Sequence, residues 1–390
     1  MKVLYVNHTA TVSGAERSLL GLLRHLPAGV EPVVACPMGP LAAAVRGLGI
    51  QVEKLSGTSA SLRLHPVHTS RGVAEIVWSG LQLGRIARRH GARLVHCNSV
   101  RAGLACLSGF AADRSATIVH VRDGLPSGRA ADFSRRVAMR AGLVIANSRW
   151  TASRLRLGPR GPRLEVVPNA VELDRFDPRL LSREEARSRL GLGEHGHVLG
   201  VVGQLTPWKA QDDAIRAAAL LVRRWPDLKL LVVGSVKFRS GSTRYDNEAY
   251  LASLHGLVDE LSLHDQVRFL GEREDVAAVL RALDVLLVPS WEEPFGRVVI
   301  EGMAMSTPVL ATANGGPAEV ITDAVDGLLL PPRDPAGWAD AIRQLLADPA
   351  RRASIGRSAR AKVESQFDQP AQAALIADLY RQQLDVAVRA

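Results

Sequence analysis

The sequence predicts an α/β protein made of two doubly wound parallel-sheet domains. Short β-branched runs alternate with longer amphipathic segments along the whole chain, and alternation of this kind means repeated βαβ units. The runs are continuously apolar, as strands must be when helices cover both faces of their sheet. At 390 residues the chain also exceeds one ordinary core, given roughly 150 residues per domain.

The first series of strands reads KVLYVN (2–7), PVVAC (32–36), RLVHC (93–97), TIVHV (117–121), LVIAN (143–147) and LEVVP (164–168). The second reads HVLGVVG (197–203), LKLLVVG (228–234), VRFLG (267–271), DVLLVPS (284–290), PVLAT (308–312) and GLLLP (327–331). Helical patterns such as GAERSLLGLLRHL and AYLASLHGLVDELSL lie between them. The polar stretch 172–196 separates the series and reads as an interdomain connector. The domains are therefore placed at 1–180 and 181–370, with 371–390 a C-terminal helix packing back toward the first. A cleft is expected between them, with ligands beyond the strands' carboxyl ends. Residues 55–72 and 237–250 show no period and read as mobile loops facing it.

Apolar residues make up 47% of the chain, enough for full cores, while aromatics at 4% leave the packing to Ala, Val and Leu. Cys36, Cys97 and Cys106 form no CxxC pair and no zinc spacing, and so sparse and odd a set suits a reducing compartment. The N-terminal MKVLYVNH is too short in apolar residues for a signal peptide. No window reaches the roughly 18–20 apolar residues of a membrane span. A cytoplasmic protein is expected. The net charge of +10 and pI of about 10.1 admit three readings. Attraction to an anionic membrane or phosphorylated substrate is one, and Arg-rich solvated faces are another. Nucleic-acid binding is disfavoured, because the arginines are scattered and not interleaved with aromatics.

WEEPFGRVVIEGMA (291–304) places Glu293 and Glu301 around an apolar helix start that follows a buried strand. Pro294 holds Glu293 extended, and Gly296 permits a positive φ. The amides opening the helix, with the macrodipole behind them, suit a phosphate. Glu301 could accept hydrogen bonds from a diol, and Glu293 from hydroxyls further along the same ligand. Capping and dipole compensation would explain the same acids. GVVGQLTPWKAQD (200–212) ends a strand at Gly203 and offers Lys209 as a point charge for a diphosphate. A solvated lysine is the alternative, though the chain uses Arg nearly everywhere else. VNHTATVSGAERSLLGLL is a strand, a loop with Ser13 and Gly14, then a helix, but it is neither GxGxxG nor a P-loop. In TIVHVRDGLP, His120 and Asp123 are read as following a strand's end and pointing into the cleft, a structural histidine being the alternative.

Together these segments resemble the retaining glycosyltransferases of family 4, whose GT-B architecture has two Rossmann-like domains facing an interdomain cleft. The likeness covers nearly the whole chain. Its most specific part is the E-x7-E spacing from Glu293 to Glu301. GQLTPWKAQD is similar to the family's phosphate loop, SGAERSLL to its Gly-rich turn, VVPNAVELDRF to its hinge-side sequence, and ATANGGPAEVITDAVDGLLLPPRDPAGWADAI to its closing βα units. The resemblance implies hexosyl transfer from a nucleotide sugar, uridine favoured over guanosine, with the first domain binding acceptor and the second donor. It implies that Lys209, with Gln204 nearby, meets the diphosphate and that Glu301 holds the ribose. Glu293 with the backbone of Phe295 and Gly296 would hold the donor sugar, and the amides of Arg297 and Val298 the phosphate. Phe269 and Leu270 would frame the base, Gly14 would approach the phosphates, and His120 would lie beside the reacting sugar. Arg122 and Asp123 would stand on the acceptor side. Glu293, His120 and Lys209 are thus the expected catalytic residues. The chain departs from the family at Gln204, where Arg is usual and one cation is lost. It departs also at Ala210, Ala170 and Ser13, where glycines are common.

No metal or cofactor is expected, since no DxD follows these strands and no His/Cys ligand cluster is present. Lys209 and the amides at 296–298 would stabilise the leaving group instead. With no obvious covalent nucleophile, the expected mechanism is front-face substitution, the departing phosphate accepting the acceptor's proton. The acceptor is read as anionic or lipid-linked, with peripheral association at the inner face of a membrane, or as a soluble small molecule. Two rivals stand beside this reading. An epimerase would act with no acceptor present, and a non-catalytic sugar-nucleotide-binding protein would bind donor without transfer or hydrolysis.

Overall fold

The computed structural model describes residues 1–56, 66–108, 116–124, 132, 135–136, 139–158, 161–193, 195–237 and 245–389. They form two compact units, Met1–Ala170 with Gln369–Ala390, and Val171–Asp368. The first unit is a seven-stranded sheet: β1 (Lys2–Val6), β2 (Glu31–Cys36), β3 (Gln51–Lys54), β4 (Leu94–Cys97), β5 (Thr117–Val121), β6 (Leu143–Ala146) and β7 (Arg163–Val166). Their order is β3-β2-β1-β4-β5-β6-β7, and every pairing is parallel. Helices α1 (Gly14–Arg24), α2 (Pro40–Gly47), α3 (Pro66–His90), α4 (Val100–Ser108) and α5 (Arg149–Leu155) connect them. Neighbouring strand residues enter opposite apolar layers. Tyr5 packs with Leu19, Leu22 and Ile118, whereas Leu4 and Val6 pack with Leu83, Ile86 and Val119. Burial on both faces is what makes these strands read as unbroken apolar runs.

The second unit repeats the plan with six strands: β8 (Val198–Val202), β9 (Lys229–Val233), β10 (Val267–Gly271), β11 (Val285–Val288), β12 (Val309–Thr312) and β13 (Leu328–Leu330). Their order is β10-β9-β8-β11-β12-β13, again parallel. The helices are α6 (Arg183–Arg189), α7 (Gln211–Ala219), α8 (Asn247–Glu260), α9 (Val276–Ala282), α10 (Arg297–Ala304), α11 (Pro317–Val320), α12 (Pro335–Ala347) and α13 (Pro349–Gln366). Helix α14 (Gln369–Arg389) belongs to the first unit, where Ile376, Ala377 and Tyr380 join the core.

The structure departs from the sequence reading at several places in the fold. β3 was not anticipated, because QVEK is a polar edge strand with exposed ends. The stretch 172–196 is not a free connector: Phe176, Leu181, Ala186 and Leu190 enter the second unit's core. For that reason the units divide at 170/171, not 180/181, and Val171 donates its amide to the Phe367 carbonyl at the other crossing. Residues 57–65 and 238–244 of the two expected loops lie outside the described residues, while 66–72 open helix α3 and 247–250 open helix α8 instead of extending loops.

Candidate active site

Each sheet reverses its winding beside its first strand, and a parallel sheet opens a crevice at the carboxyl ends there. In the second unit the reversal lies between β8 and β11. Lys209 closes a 3₁₀ turn, Pro207–Lys209, after β8, and Glu293 follows β11. The Trp291 amide donates to the Trp208 carbonyl at 2.8 Å and ties the two segments together. Lys209 Nζ then stands 2.5 Å from Glu293 Oε2 and 4.3 Å from the centre of the Trp208 ring. The Ser290 hydroxyl donates to the same carboxylate oxygen at 3.0 Å. The two side chains are 18% and 7% exposed, so the pair is largely shielded while the lysine keeps an open side.

A backbone clamp fixes Glu293. Its amide donates to the Asn314 carbonyl at 3.0 Å, and its carbonyl accepts from the Gly316 amide at 2.8 Å. Asn314 Nδ2 also donates to the Trp291 carbonyl at 2.7 Å. A β-carbon at Gly315 would lie 2.0 Å from the Glu293 carbonyl oxygen, and one at Gly316 would lie 2.5 Å from Phe295 Cα. Only glycine permits backbones this close. Phe295 itself is core, edge-on to Phe367 at 6.2 Å.

Gly296, at φ 84°, then caps α10 without any side-chain cap bond. Glu293 bonds the Lys209 and Ser290 side chains. Glu301 Oε1 instead accepts from Arg297 Nη2 at 2.9 Å, one turn back. Val298 packs against the core beside this start, where the positive end of the helix dipole lies. The four charges at this edge cancel in pairs, Lys209 with Glu293 and Arg297 with Glu301. Arg333 stacks 4.1 Å from the centre of the Trp291 ring, whose other neighbour is the edge-on ring of Tyr245 at 6.2 Å.

The Gln204 carbonyl accepts from Gln211 Nε2 at 2.9 Å. Ala210 takes the left-handed conformation, φ 53°, which explains why a glycine would be at home there. Phe269 lies against His255 at 4.3 Å between ring centres, and Leu270 leans on the core; both sit at the end of β10, two strands from β8.

The first unit carries its own polar edge. Asn7, Asn98, Arg122, Asn147 and Asn169 follow β1, β4, β5, β6 and β7 in turn, and all are buried. Arg122 joins them: Nε donates to Asn98 Oδ1 at 3.2 Å and Nη1 to Asn169 Oδ1 at 2.6 Å. Asn98 donates to Asn7 Oδ1 at 3.0 Å, and Asn7 to Glu16 at 3.2 Å. Asn147 donates to the Arg122 carbonyl at 3.0 Å. Glu16 Oε2 also accepts from the Ser13 amide at 3.1 Å, fixing the start of α1. A β-carbon on Gly14 would meet nothing within 4 Å. Asp123 is exposed just past this edge.

His120 does not follow the strand's end, as the sequence reading had it. It is the fourth residue of β5 and fully buried. Arg122 Nη2 lies 3.3 Å from its Nδ1. A guanidinium can only donate, so Nδ1 accepts and the ring proton sits on Nε2, which has no partner among the described residues. Burial, then the Arg122 charge and His96, hold this imidazole well below the usual histidine pKa. It is therefore a neutral hydrogen-bond donor, not a base. Its neighbour His96, 5.4 Å away, is pushed down to about 3 by burial and Arg122 and bonds Tyr380 of α14 at 2.7 Å.

Residues 12–175 match the family described as Glycosyltransferase Family 4, and residues 182–362 match Glycosyl transferases group 1. A D-inositol 3-phosphate glycosyltransferase of Saccharomonospora viridis is 32% identical over 93% of this chain and 79% of its own length. The chain belongs to glycosyltransferase family 4. Another D-inositol 3-phosphate glycosyltransferase, from Salinispora arenicola, is 36% identical over 73% of this chain, a match spanning only 62% of that relative. Among solved structures, Anabaena Alr3699/HepE in complex with UDP-glucose superposes with a TM-score of 0.82 at 24% identity, over 98% of this chain and all of that one. That likeness carries the GT-B fold. Within this family member the structure brings Lys209, Glu293, Gly296, Arg297 and Glu301 to one edge of the second sheet. It adds Ser290, Asn314, Gly315, Gly316, Trp291 and Arg333, which the sequence reading missed.

Proposed function

We propose that the chain is a hexosyltransferase that takes its sugar from a nucleotide diphosphate donor, UDP in preference to GDP, and retains the anomeric configuration without a metal. The observation that carries the reading is the shielded Lys209–Glu293 pair, held by a glycine clamp beside the start of α10. A donor diphosphate would draw Lys209 toward itself and meet the amides of Arg297 and Val298 at the positive end of the α10 dipole. That exchange frees Glu293 for sugar hydroxyls, while Glu301, held through Oε1 by Arg297, would offer its other oxygen to the ribose. Phe269 and Leu270 border the base, and Gly14 leaves room for close backbone approach. As the C1–O bond to phosphate breaks, its electron pair passes to the leaving diphosphate, which Lys209 stabilises. The acceptor oxygen attacks C1 from the same face and gives its proton to the departing phosphate oxygen. His120 contributes its Nε2 proton as a hydrogen-bond donor, held in place by Arg122, and Asp123 stands on the acceptor side.

The UDP-glucose in the Anabaena structure supports the donor class, and the names of the inositol 3-phosphate relatives support a phosphorylated polyol among the acceptors to try. A cytoplasmic setting follows from such donors. The test is thermal stabilisation and slow hydrolysis across UDP- and GDP-hexoses, with and without EDTA, followed by transfer to inositol phosphate. Stabilisation by one donor, hydrolysis insensitive to EDTA and an α-linked product from an α-donor are expected. Failure of every nucleotide sugar to bind would overturn the reading, and inverted product would overturn retention.

A further inference from the structure

We infer that α3 is a docking surface for an anionic lipid membrane. Val77, Trp78 and Leu81 are 44%, 51% and 39% exposed, three of the ten exposed large apolar side chains among the described residues. At 3.6 residues per turn they share an arc of about 120° with Arg85, Arg88 and Arg89. The three arginines are exposed as well. The opposite side of the helix is anchored: Leu83 and Ile86 are in the core, and Ser79 is bonded to the Ser56 carbonyl. The exposed face is thus no frayed end but the outer side of a packed helix.

Its residues are sorted along the axis, apolar at 77–81 and basic at 85–89. No Asp or Glu occurs between residues 76 and 90, and the nearby Glu53 of β3 is taken by Arg89 at 3.3 Å and His90 at 2.7 Å. Among the described residues Arg85 and Arg88 have no carboxylate partner, and they present their charge beside a tryptophan. A helix lying in the lipid interface sinks its apolar side chains about 5–10 Å into the boundary and keeps arginines at the phosphates. Tryptophan is the side chain most at home at that level. The same face fits a second copy poorly, since like arginines would meet with no carboxylate between them. The inference does not depend on the transfer chemistry.

The full chain should sediment with mixed phosphatidylcholine–phosphatidylglycerol vesicles and stay in solution with phosphatidylcholine alone. Added salt should release it. Trp78→Ser with Leu81→Ser should lower the vesicle partition by about tenfold, and Arg85→Gln with Arg88→Gln should flatten its salt dependence. Both variants change exposed residues only, so their urea midpoints should match the wild type. Three results would overturn the proposal: no sedimentation with the anionic vesicles, equal binding to neutral ones, or equal binding by the Trp78/Leu81 variant. A concentration-dependent dimer that this variant abolishes would assign the face to self-association and overturn it too.

Discussion

Lys209 and Glu293 serve both the fold and the proposed chemistry, and a double-mutant cycle separates the two. Removing one member of a buried ion pair typically costs 3–5 kcal/mol, because the other charge is left without its partner. Here the lysine is 18% exposed and Glu293 keeps the Ser290 hydroxyl, so Lys209→Met should cost less, about 2–3 kcal/mol. Glu293→Gln removes the charge while keeping the shape. In the double variant no unpaired charge remains, and about 1–3 kcal/mol of the summed single costs should be recovered as coupling. Urea unfolding of the four proteins reads this directly. Catalysis should behave differently. Loss of the cation that stabilises the leaving diphosphate should lower kcat/KM by about 10²–10³, and removing Glu293 as well should restore none of it. Additive stability changes would refute the coupled pair. Full turnover in Lys209→Met would refute the assignment of the lysine to the diphosphate.

Other perturbations probe the rest of the scaffold. Gly315→Ala sets a β-carbon 2.0 Å from the Glu293 carbonyl oxygen, at a φ of 124°. It should cost at least about 3 kcal/mol and weaken donor affinity, whereas unchanged affinity would mean that the clamp does not place Glu293. Tyr380→Phe takes away the partner of the buried His96 Nδ1 and should lower the first unit's stability by about 1–2 kcal/mol, checked by urea midpoint. Acid should weaken the protein through His96 and His120, whose depressed pKa values keep them neutral when folded. Unfolded histidines take up protons below about 6.5, so each removes about 1.4 kcal/mol per pH unit as pH falls. Asp213 acts in the opposite sense. Burial and then Asp212 raise it to about 6, so its folded form gains protons first and stability rises as pH falls from about 6 toward 3.8. Asp213→Asn should therefore steepen the acid loss, and an unchanged slope would contradict the buried carboxyl.

How much of this was legible in the sequence depended on whether a feature is local. Strands covered on both faces announce themselves as apolar runs, and twelve of thirteen were read to within two residues. β3 was not, because an edge strand such as QVEK buries too little to need an apolar sequence. The acids and the lysine could be singled out from neighbouring turn and helix signals. Their partners could not, since the tie between Glu293 and Gly315–Gly316 is a contact between two loops that no sequence period encodes. The 172–196 stretch misled because Phe176, Leu181 and Leu190 are diluted by charges, although they form one buried side. His120 shows the opposite failure: its strand was right, but β5 is buried at every position, so a side chain inside the strand does not reach solvent. A signal was in fact present in the first unit. Five of its strands are followed by Asn or Arg, at Asn7, Asn98, Arg122, Asn147 and Asn169, where a soluble loop needs no such repetition. Side chains that recur at the carboxyl ends of parallel strands converge on one edge, and buried amides there must find one another or a ligand. Reading strand ends as a set would have found this network, and with it the guanidinium that makes His120 a donor.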